Sequence, residues 1–227
     1  MSEDPNKGKY ELTQPALLSN PQLHEPKPYK DPATGKTSGD PKYTCRLVLD
    51  PASDDFKNLK ALVVSAAKAK HPGVPFTDLE FPFKNGDKQI EKITQALTKK
   101  GKKYDGRSDY LAGKVFINCR SQYAPVMAGI VNNQLVDIAK DNSALIQKIF
   151  FPGAEVYAEL KVNGYDAVGS NKAGVQIFLN QLGATGKGTR LKGGERSAAE
   201  TFKGVMGKMS AEDPTAGSAA GDDEIPY

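Results

Sequence analysis

The sequence predicts a mainly β domain, a small barrel or curled sheet with helices inserted between its strands. Alternation of apolar and polar residues is typical of strands buried on one face, and the chain has four such segments: residues 43–49, 114–120, 155–163 and 174–180. Longer segments with apolar residues at helical spacing separate these strands. The 227 residues are 38% hydrophobic and 26% charged, which suits one soluble domain of moderate size.

Three helices are predicted, and the first has clear end signals. Its apolar residues recur at helical spacing from Phe56 to Ala67, with Ser53 placed to cap the start and Pro72 to stop the helix. A second helix is expected over residues 86–97, where the apolar residues share one helical face, and a shorter one over residues 142–149. All three therefore lie between predicted strands.

The two ends of the chain differ in composition from its centre. Residues 1–42 hold seven of the 15 prolines, so we expect an extended leader with one strand near residues 10–19. The barrel core is expected over residues 43–182. Glycines alternate with Lys and Arg in residues 183–209, which predicts a basic arm, and residues 210–227 lack the apolar surface that ordering requires, which predicts a disordered acidic tail.

Charge is distributed unevenly along the chain. The net charge is +4, from 31 Lys and Arg against 27 Asp and Glu. Five of those acids and no Lys or Arg lie in residues 212–227, which leaves 22 acids against 31 cations, about +9, in residues 1–211 and about −5 at the end. A basic body favours polyanionic ligands, and an acidic tail is suited either to occupy that same surface or to contact another protein.

Several classes of protein are excluded by the same composition. No apolar run is long enough to span a bilayer, and the first thirty residues lack a secretory signal, so we expect an intracellular protein. Cys45 and Cys119 are then expected as reduced, packed residues. Neither they nor His24 and His71 have the spacing of a zinc site.

Three of the predicted strands place an aromatic ring on the same face as cations or amides. These residues are Lys114, Phe116 and Arg120; Tyr157 and Lys161; and Phe178 with Gln176 and Asn180. Such a face suits single-stranded nucleic acid, because bases stack on the rings while cations follow the phosphates. The alternative for each ring is packing beneath a loop or helix on the second face of the sheet.

Further cations extend this predicted surface. Arg46 lies on the polar face of the first strand, and Lys84 and Lys88 lie near two phenylalanines. The densest basic cluster follows the second helix and consists of Lys99, Lys100, Lys102, Lys103, Tyr104 and Arg107. Its glycines would let a loop wrap a phosphate backbone, although a run of charge also marks ordinary solvated loops.

The sequence shows no catalytic constellation. Residues 183–189 resemble a phosphate-binding loop only superficially, because Gln181 stands where the motif has its first Gly and Gly188 follows the Lys. Asp105 and Asp109 are a weak candidate for a magnesium pair, since paired loop carboxylates usually face solvent. We therefore expect a protein that is not an enzyme and has no cofactor and no metal.

Five segments in order resemble the single-stranded DNA-binding proteins of tailed bacteriophages. They are residues 41–49, 83–87, 110–121, 150–154 and 171–182, and the resemblance covers about residues 15–192. It implies an oligonucleotide-binding (OB) fold, a five-stranded Greek-key barrel that binds a strand across one face. The implied function is coating of single-stranded DNA in phage replication or recombination, in the cytoplasm of the infected host.

The end of the chain resembles the acidic tip of bacterial single-stranded DNA-binding proteins, which docks replication and repair enzymes. The corresponding residues are Asp222, Asp223, Glu224, Ile225, Pro226 and Tyr227, with Tyr where the bacterial tip has Phe. Protein partners through this tip and competition between tail and DNA are the expectations. A strand-annealing or recombination mediator and, less favoured, a magnesium-dependent nuclease stay open as alternatives, as does assembly into a homo-oligomer.

Overall fold

Nine strands and three helices are formed by the residues that the computed structural model describes, which are 8–30, 37–131, 133–168 and 172–191. The strands are β1 (Lys9–Glu11), β2 (Ala16–Lys30), β3 (Thr37–Leu49), β4 (Phe83–Asn85), β5 (Val115–Ser121), β6 (Val126–Val131), β7 (Gln134–Ile138), β8 (Ala154–Tyr165) and β9 (Gly174–Gly188). The helices are α1 (Asp54–Lys70), α2 (Gly86–Thr98) and α3 (Ser143–Ile149).

Five of the strands close into a barrel. β2, β3 and β5 pair antiparallel in sequence order, β5 pairs parallel with β9, and β9 pairs antiparallel with β8, which returns to β2. The first barrel strand is thus bonded to the second and fourth, and the third to the fifth. This is the Greek-key order of an OB fold, so the expected fold class is confirmed.

The barrel is filled by the inward residues of its strands. Leu18, Leu47, Ile117, Leu160 and Ile177, one from each barrel strand, are each at most 2% exposed. Alternation of side chains along a strand leaves the neighbours of these residues on the outer face. The outer face is therefore where polar residues and any ligand site must lie.

Helix α1 ties the start of the chain to the barrel. It begins at the expected cap, where Ser53 Oγ accepts a hydrogen bond from the Phe56 amide at 3.2 Å. Asp55 in its first turn is buried and accepts hydrogen bonds from the Tyr10 hydroxyl and the Thr13 and Gln14 amides at 2.8–3.0 Å. Burial opposes ionisation of this carboxyl, but these hydrogen bonds outweigh it and hold its pKa below the usual value.

Three of the predicted strands are longer in the structure than the sequence patterns indicate: β3 begins earlier, β9 ends later, and β8 extends at both ends. The first barrel strand is β2, which overlaps the strand expected near residues 10–19 and continues to Lys30 through the stretch expected to be a leader. Residues 183–188 continue β9 instead of starting an arm. The β6–β7 hairpin was not expected at all, because Gly129 and the turn at Asn133 interrupt the apolar alternation of residues 126–138. The rest of the predicted basic arm and the acidic tail, residues 192–227, lie outside the described residues.

The helix and cysteine predictions agree with the structure. The three helices start and end within three residues of the expected limits. Cys45 and Cys119 lie opposite each other on β3 and β5, unbonded and buried, and the hydrogen bond with Cys45 together with burial raises the pKa of the Cys119 thiol. Within the described ranges, no helix has the length and apolarity that a membrane span requires.

Candidate nucleic-acid interface

Two adjoining cavities lie on the outer wall formed by β2, β3, β5 and β9. The larger, about 940 Å³, lies between the arms of the β2–β3 hairpin and β5, and the smaller, about 220 Å³, lies between β5, β9 and the segment before β4. Asn118 and Arg120 of β5 line both cavities, so the two form one surface, which we call the strand groove.

The strand groove is lined mainly by cations, amides and aromatic rings. Its cations are Lys27, Lys42, Arg46, Lys84 and Arg120; its carboxylates are Asp40 and Glu80; its amides are Asn20, Gln22, Asn118 and Gln176; and its rings are Phe81, Tyr165 and Phe178. Five positive charges against two negative ones favour a polyanion. Mixed amides and rings add groups that bind bases rather than phosphates.

Arg46 is held in the groove by a ring that does not itself reach the surface. Phe116 is only 2% exposed and packs with Val48 and Leu111. The Arg46 guanidinium lies 4.2 Å from the Phe116 ring centroid, and its Nε donates a hydrogen bond to Asn118 Oδ1 at 3.3 Å. Phe116 thus positions a cation through a cation–π contact.

The prediction that Phe116 is a stacking platform is therefore wrong. The alternation of β5 places its ring on the outer face, as expected, but this end of the face is covered by α2 and by Tyr110, whose hydroxyl lies 2.7 Å from Ser19 Oγ. Strand alternation reports which face a side chain occupies and carries no information about what packs over that face.

Phe178 is the predicted ring that lies in the groove. It is half-buried on β9, opposite Arg120 on one neighbouring strand and opposite Lys161 on the other. Tyr165, which the sequence patterns did not indicate, lines the same small cavity and donates a hydrogen bond to Glu80 Oε2 at 3.2 Å. Burial and this hydrogen bond raise the pKa of Tyr165, so it remains a neutral phenol at neutral pH.

Tyr157 does not share the groove with Phe178. It is 44% exposed, and it lines a separate cavity beside the β6–β7 hairpin together with Glu11, Asp137 and Glu159. Carboxylates around a ring disfavour a phosphate backbone. The expectation that three rings form one nucleic-acid face is corrected: one ring is buried, one is in the groove and one lies on an acidic surface.

The remaining predicted cations lie outside both groove cavities. Lys114 Nζ is paired with Asp50 Oδ2 at 2.7 Å, and this bond and the Ala52 amide lower the pKa of Asp50. Lys88 is exposed in the first turn of α2. We call residues 99–107 the cationic loop; its lysines are exposed and line neither cavity, so their contact with nucleic acid stays a prediction.

The two loop carboxylates weighed as a magnesium pair have other partners. Asp105 is paired with the Arg107 guanidinium, which lowers its pKa, and Asp109 accepts a hydrogen bond from the Tyr104 hydroxyl at 2.8 Å. Among the residues that the structure describes, no cluster of three or more His, Cys, Asp or Glu side chains is arranged to hold a metal ion.

Lys27 and Lys42 are groove residues that the sequence patterns missed. Both lie on the arms of the β2–β3 hairpin, which pair at Lys27 and Lys42. Pro21, Pro26 and Pro28 argued against a strand in this stretch, because Pro cannot donate a ladder hydrogen bond. The irregular register between Ser19 and Tyr29 shows how the strand accommodates them.

The groove lies where OB folds bind oligonucleotides, across the second and third barrel strands. The family model for the ssDNA-binding protein of Enterobacter phage Enc34 matches residues 17–215. This chain belongs to that family. No match was found among curated protein sequences.

Solved structures of the Enc34 protein share the fold. The structure of the single-stranded DNA-binding protein from bacteriophage Enc34 in complex with ssDNA has a TM-score of 0.59 at 15% identity and covers 85% of this chain and 97% of that chain. A second structure of that protein has a TM-score of 0.57 at 14% identity and covers 88% and 97%. Its C-terminal truncation has a TM-score of 0.52 at 14% identity and covers 86% and 96%.

Proposed function

We propose that this chain binds single-stranded DNA in the strand groove. The observation that carries the proposal is the continuity of the two cavities through Asn118 and Arg120, on the wall that OB folds use for oligonucleotides. Membership in the Enc34 family supports the same ligand. Binding of DNA needs no chemical step, and we assign the protein no catalytic role.

The groove offers separate contacts for the backbone and the bases. Lys27, Lys42 and Arg46 line the long cavity and would neutralise phosphates, which makes binding dependent on salt. Phe178 offers a ring face on which a base stacks, at about 1–3 kcal/mol per base. Since every base has a π-face, such binding depends little on sequence.

The biological role that follows is coating and protection of exposed single strands. We place this role in the replication or recombination of phage DNA, in the cytoplasm of the infected host. A bound protein of this kind keeps unpaired strands from re-annealing, because it occupies the bases and neutralises the backbone.

The acidic tail is assigned two linked roles on the basis of its charge. Its carboxylates are a local polyanion tethered to a basic domain, so at low salt the tail competes with DNA at a high effective concentration. DNA binding would release the tip, residues 222–227, to contact replication or recombination proteins. Deletion of residues 210–227 is expected to tighten binding of a short oligothymidylate at low salt. Unchanged affinity would contradict the proposed competition between the tail and DNA.

The proposed ligand is tested by fluorescence anisotropy with labelled single-stranded DNA, duplex DNA and RNA of matched length. The wild-type protein is expected to prefer single-stranded DNA over duplex. The double variant Arg46→Ala/Arg120→Ala should bind at least about tenfold more weakly, because hydrogen bonds to charged groups contribute about 1.5–3 kcal/mol each. Lys60→Ala/Lys68→Ala, which removes two exposed cations from α1, is the matched control. Equal affinity of both variants for the strand would place the ligand elsewhere.

A further inference from the structure

The β6–β7 hairpin, together with Tyr157 of β8, presents an apolar face that none of the residues described in the structure covers. Of the eight large hydrophobic side chains that are exposed in the described ranges, four lie here: Val126 at 62%, Ile130 at 39%, Leu135 at 70% and Tyr157 at 44% exposure. Exposed apolar side chains gathered in one patch mark interaction surfaces, whereas single exposed ones are common on the surface of any protein.

Strand register places these side chains on one surface. Ile130 pairs with Leu135, Ala128 pairs with both Asp137 and Gly183, and Gly183 pairs with Tyr157, so the row crosses β7, β6, β9 and β8. Directly paired residues point to the same side of a sheet. Gly183 has no side chain and leaves a dip in the row, within a cavity of about 330 Å³. We call this surface the hairpin face.

The charges around the hairpin face are negative. Glu11, Asp137 and Glu159 line its cavity. Lys9 Nζ lies 3.8 Å from Glu159, whereas neither Glu11 nor Asp137 has an ion-pair partner among the described residues. A surface of this kind repels the phosphates of DNA and fits a protein segment that offers cations beside apolar groups.

The chain carries a segment of that chemistry on another wall of the barrel. Helix α2 packs over the β2–β3–β5 wall through Ile90, and the cationic loop follows it directly. Lys99, Lys100, Lys102 and Lys103 are exposed and form no ion pair within the described part of the chain. On the same helix, Ile93 and Leu97 are half-buried and do not pack against either hydrophobic cluster of the described residues.

We propose that the hairpin face binds the cationic loop and α2 of a second copy of this chain. The contact joins two different surfaces. A pair of protomers therefore leaves one hairpin face and one cationic loop unoccupied, and further copies can add head to tail. The inference goes beyond the proposed function: it makes neighbouring protomers on one strand contact each other, which raises the affinity for strands long enough to hold several copies. A coupling of this kind is typically about 5- to 150-fold in affinity.

Two variants separate this contact from DNA binding. The face variant, Leu135→Lys/Asp137→Lys, adds positive charge to the hairpin face, and the control Val74→Lys/Asp78→Lys makes the same changes at an exposed site after α1. Each is titrated against oligothymidylates of about 10 and about 60 nucleotides, which hold one and several OB domains. The face variant should bind the short strand like the wild type and the long strand about 5- to 150-fold more weakly, without cooperativity. The control should match the wild type on both.

A mixing experiment identifies the occupant. A loop variant, with Lys99, Lys100, Lys102 and Lys103 changed to Ala, retains an intact hairpin face, and the face variant retains an intact loop. Chemical cross-linking on the long strand should join neither variant to itself, whereas the mixture should give heterodimers and no larger species. A face variant that is as cooperative as the wild type, or a mixture without heterodimers, overturns the inference. Failure of the wild type to bind the short strand would instead contradict the proposed function, binding of single-stranded DNA by one protomer.

Discussion

The strand groove and the hairpin face lie on adjoining walls of one barrel and share β9. Each combines an aromatic ring with charged side chains, Phe178 with Arg120 in the groove and Tyr157 with Asp137 on the hairpin face. The sign of the charge separates them, because a stacking ring contributes to nucleic-acid binding only where the backbone is also attracted. An aromatic residue on an outer strand face therefore indicates nucleic-acid binding only when its neighbours on the adjacent strands are also known.

The largest expected effect concerns a ring that belongs to neither surface. Phe116→Ala should lower the free energy of unfolding by about 3–5 kcal/mol, because it empties a buried site between β5 and α2. Phe178→Ala, at a half-buried position, should cost less. Urea denaturation monitored by circular dichroism measures both. A wild-type unfolding midpoint for Phe116→Ala would show that the ring is not part of the core.

A comparison of two ring deletions tests the groove against the hairpin face directly. Phe178→Ala should weaken binding of a short oligothymidylate by about 1–3 kcal/mol, since a base loses its stacking partner. Tyr157→Ala should leave the same affinity unchanged, because its surroundings are acidic. Fluorescence anisotropy at constant salt measures both, and equal losses would mean that the strand crosses both surfaces.

The dependence of affinity on salt sharpens the electrostatic half of the comparison. Arg120→Ala should reduce the slope of log affinity against log salt by about 0.7, the value expected for one phosphate contact on a single strand. Asp137→Ala on the hairpin face should leave the slope within error. Titrations at four salt concentrations provide the slopes. A change at Asp137 as large as that at Arg120 would contradict the separation of the two surfaces.

The smallest effect is expected at the rim of the barrel. Lys114 is paired with Asp50, and the two side chains are 39% and 50% exposed; pairs in contact with solvent contribute about 0–1 kcal/mol to stability. Lys114→Ala should therefore change the unfolding midpoint little. Because Lys114 lines neither groove cavity, the affinity for DNA should stay within about twofold of the wild-type value. A large loss of affinity would extend the groove toward Lys114.

Sequence patterns predicted the fold more completely than the site. Alternation on four strands and the cap of α1 are local signals, so they indicate the barrel and its helices without knowledge of the partners. The position of Phe116 depends on α2, which is inserted between two barrel strands, and no local pattern reports that contact. The continuation of β2 beyond the strand expected near residues 10–19 was missed for a related reason: its prolines are tolerated only because its register is irregular.

The two native cysteines face the inside of the barrel, directly behind the groove. Cys45 is 3% exposed and Cys119 is fully buried, and the sequence contains only these two. Thiol reagents react with accessible thiolates, so the folded protein should be inert to maleimide dyes. A fluorophore or spin label attached to a single cysteine introduced at the surface would then report on one defined place, with no need to remove the native pair.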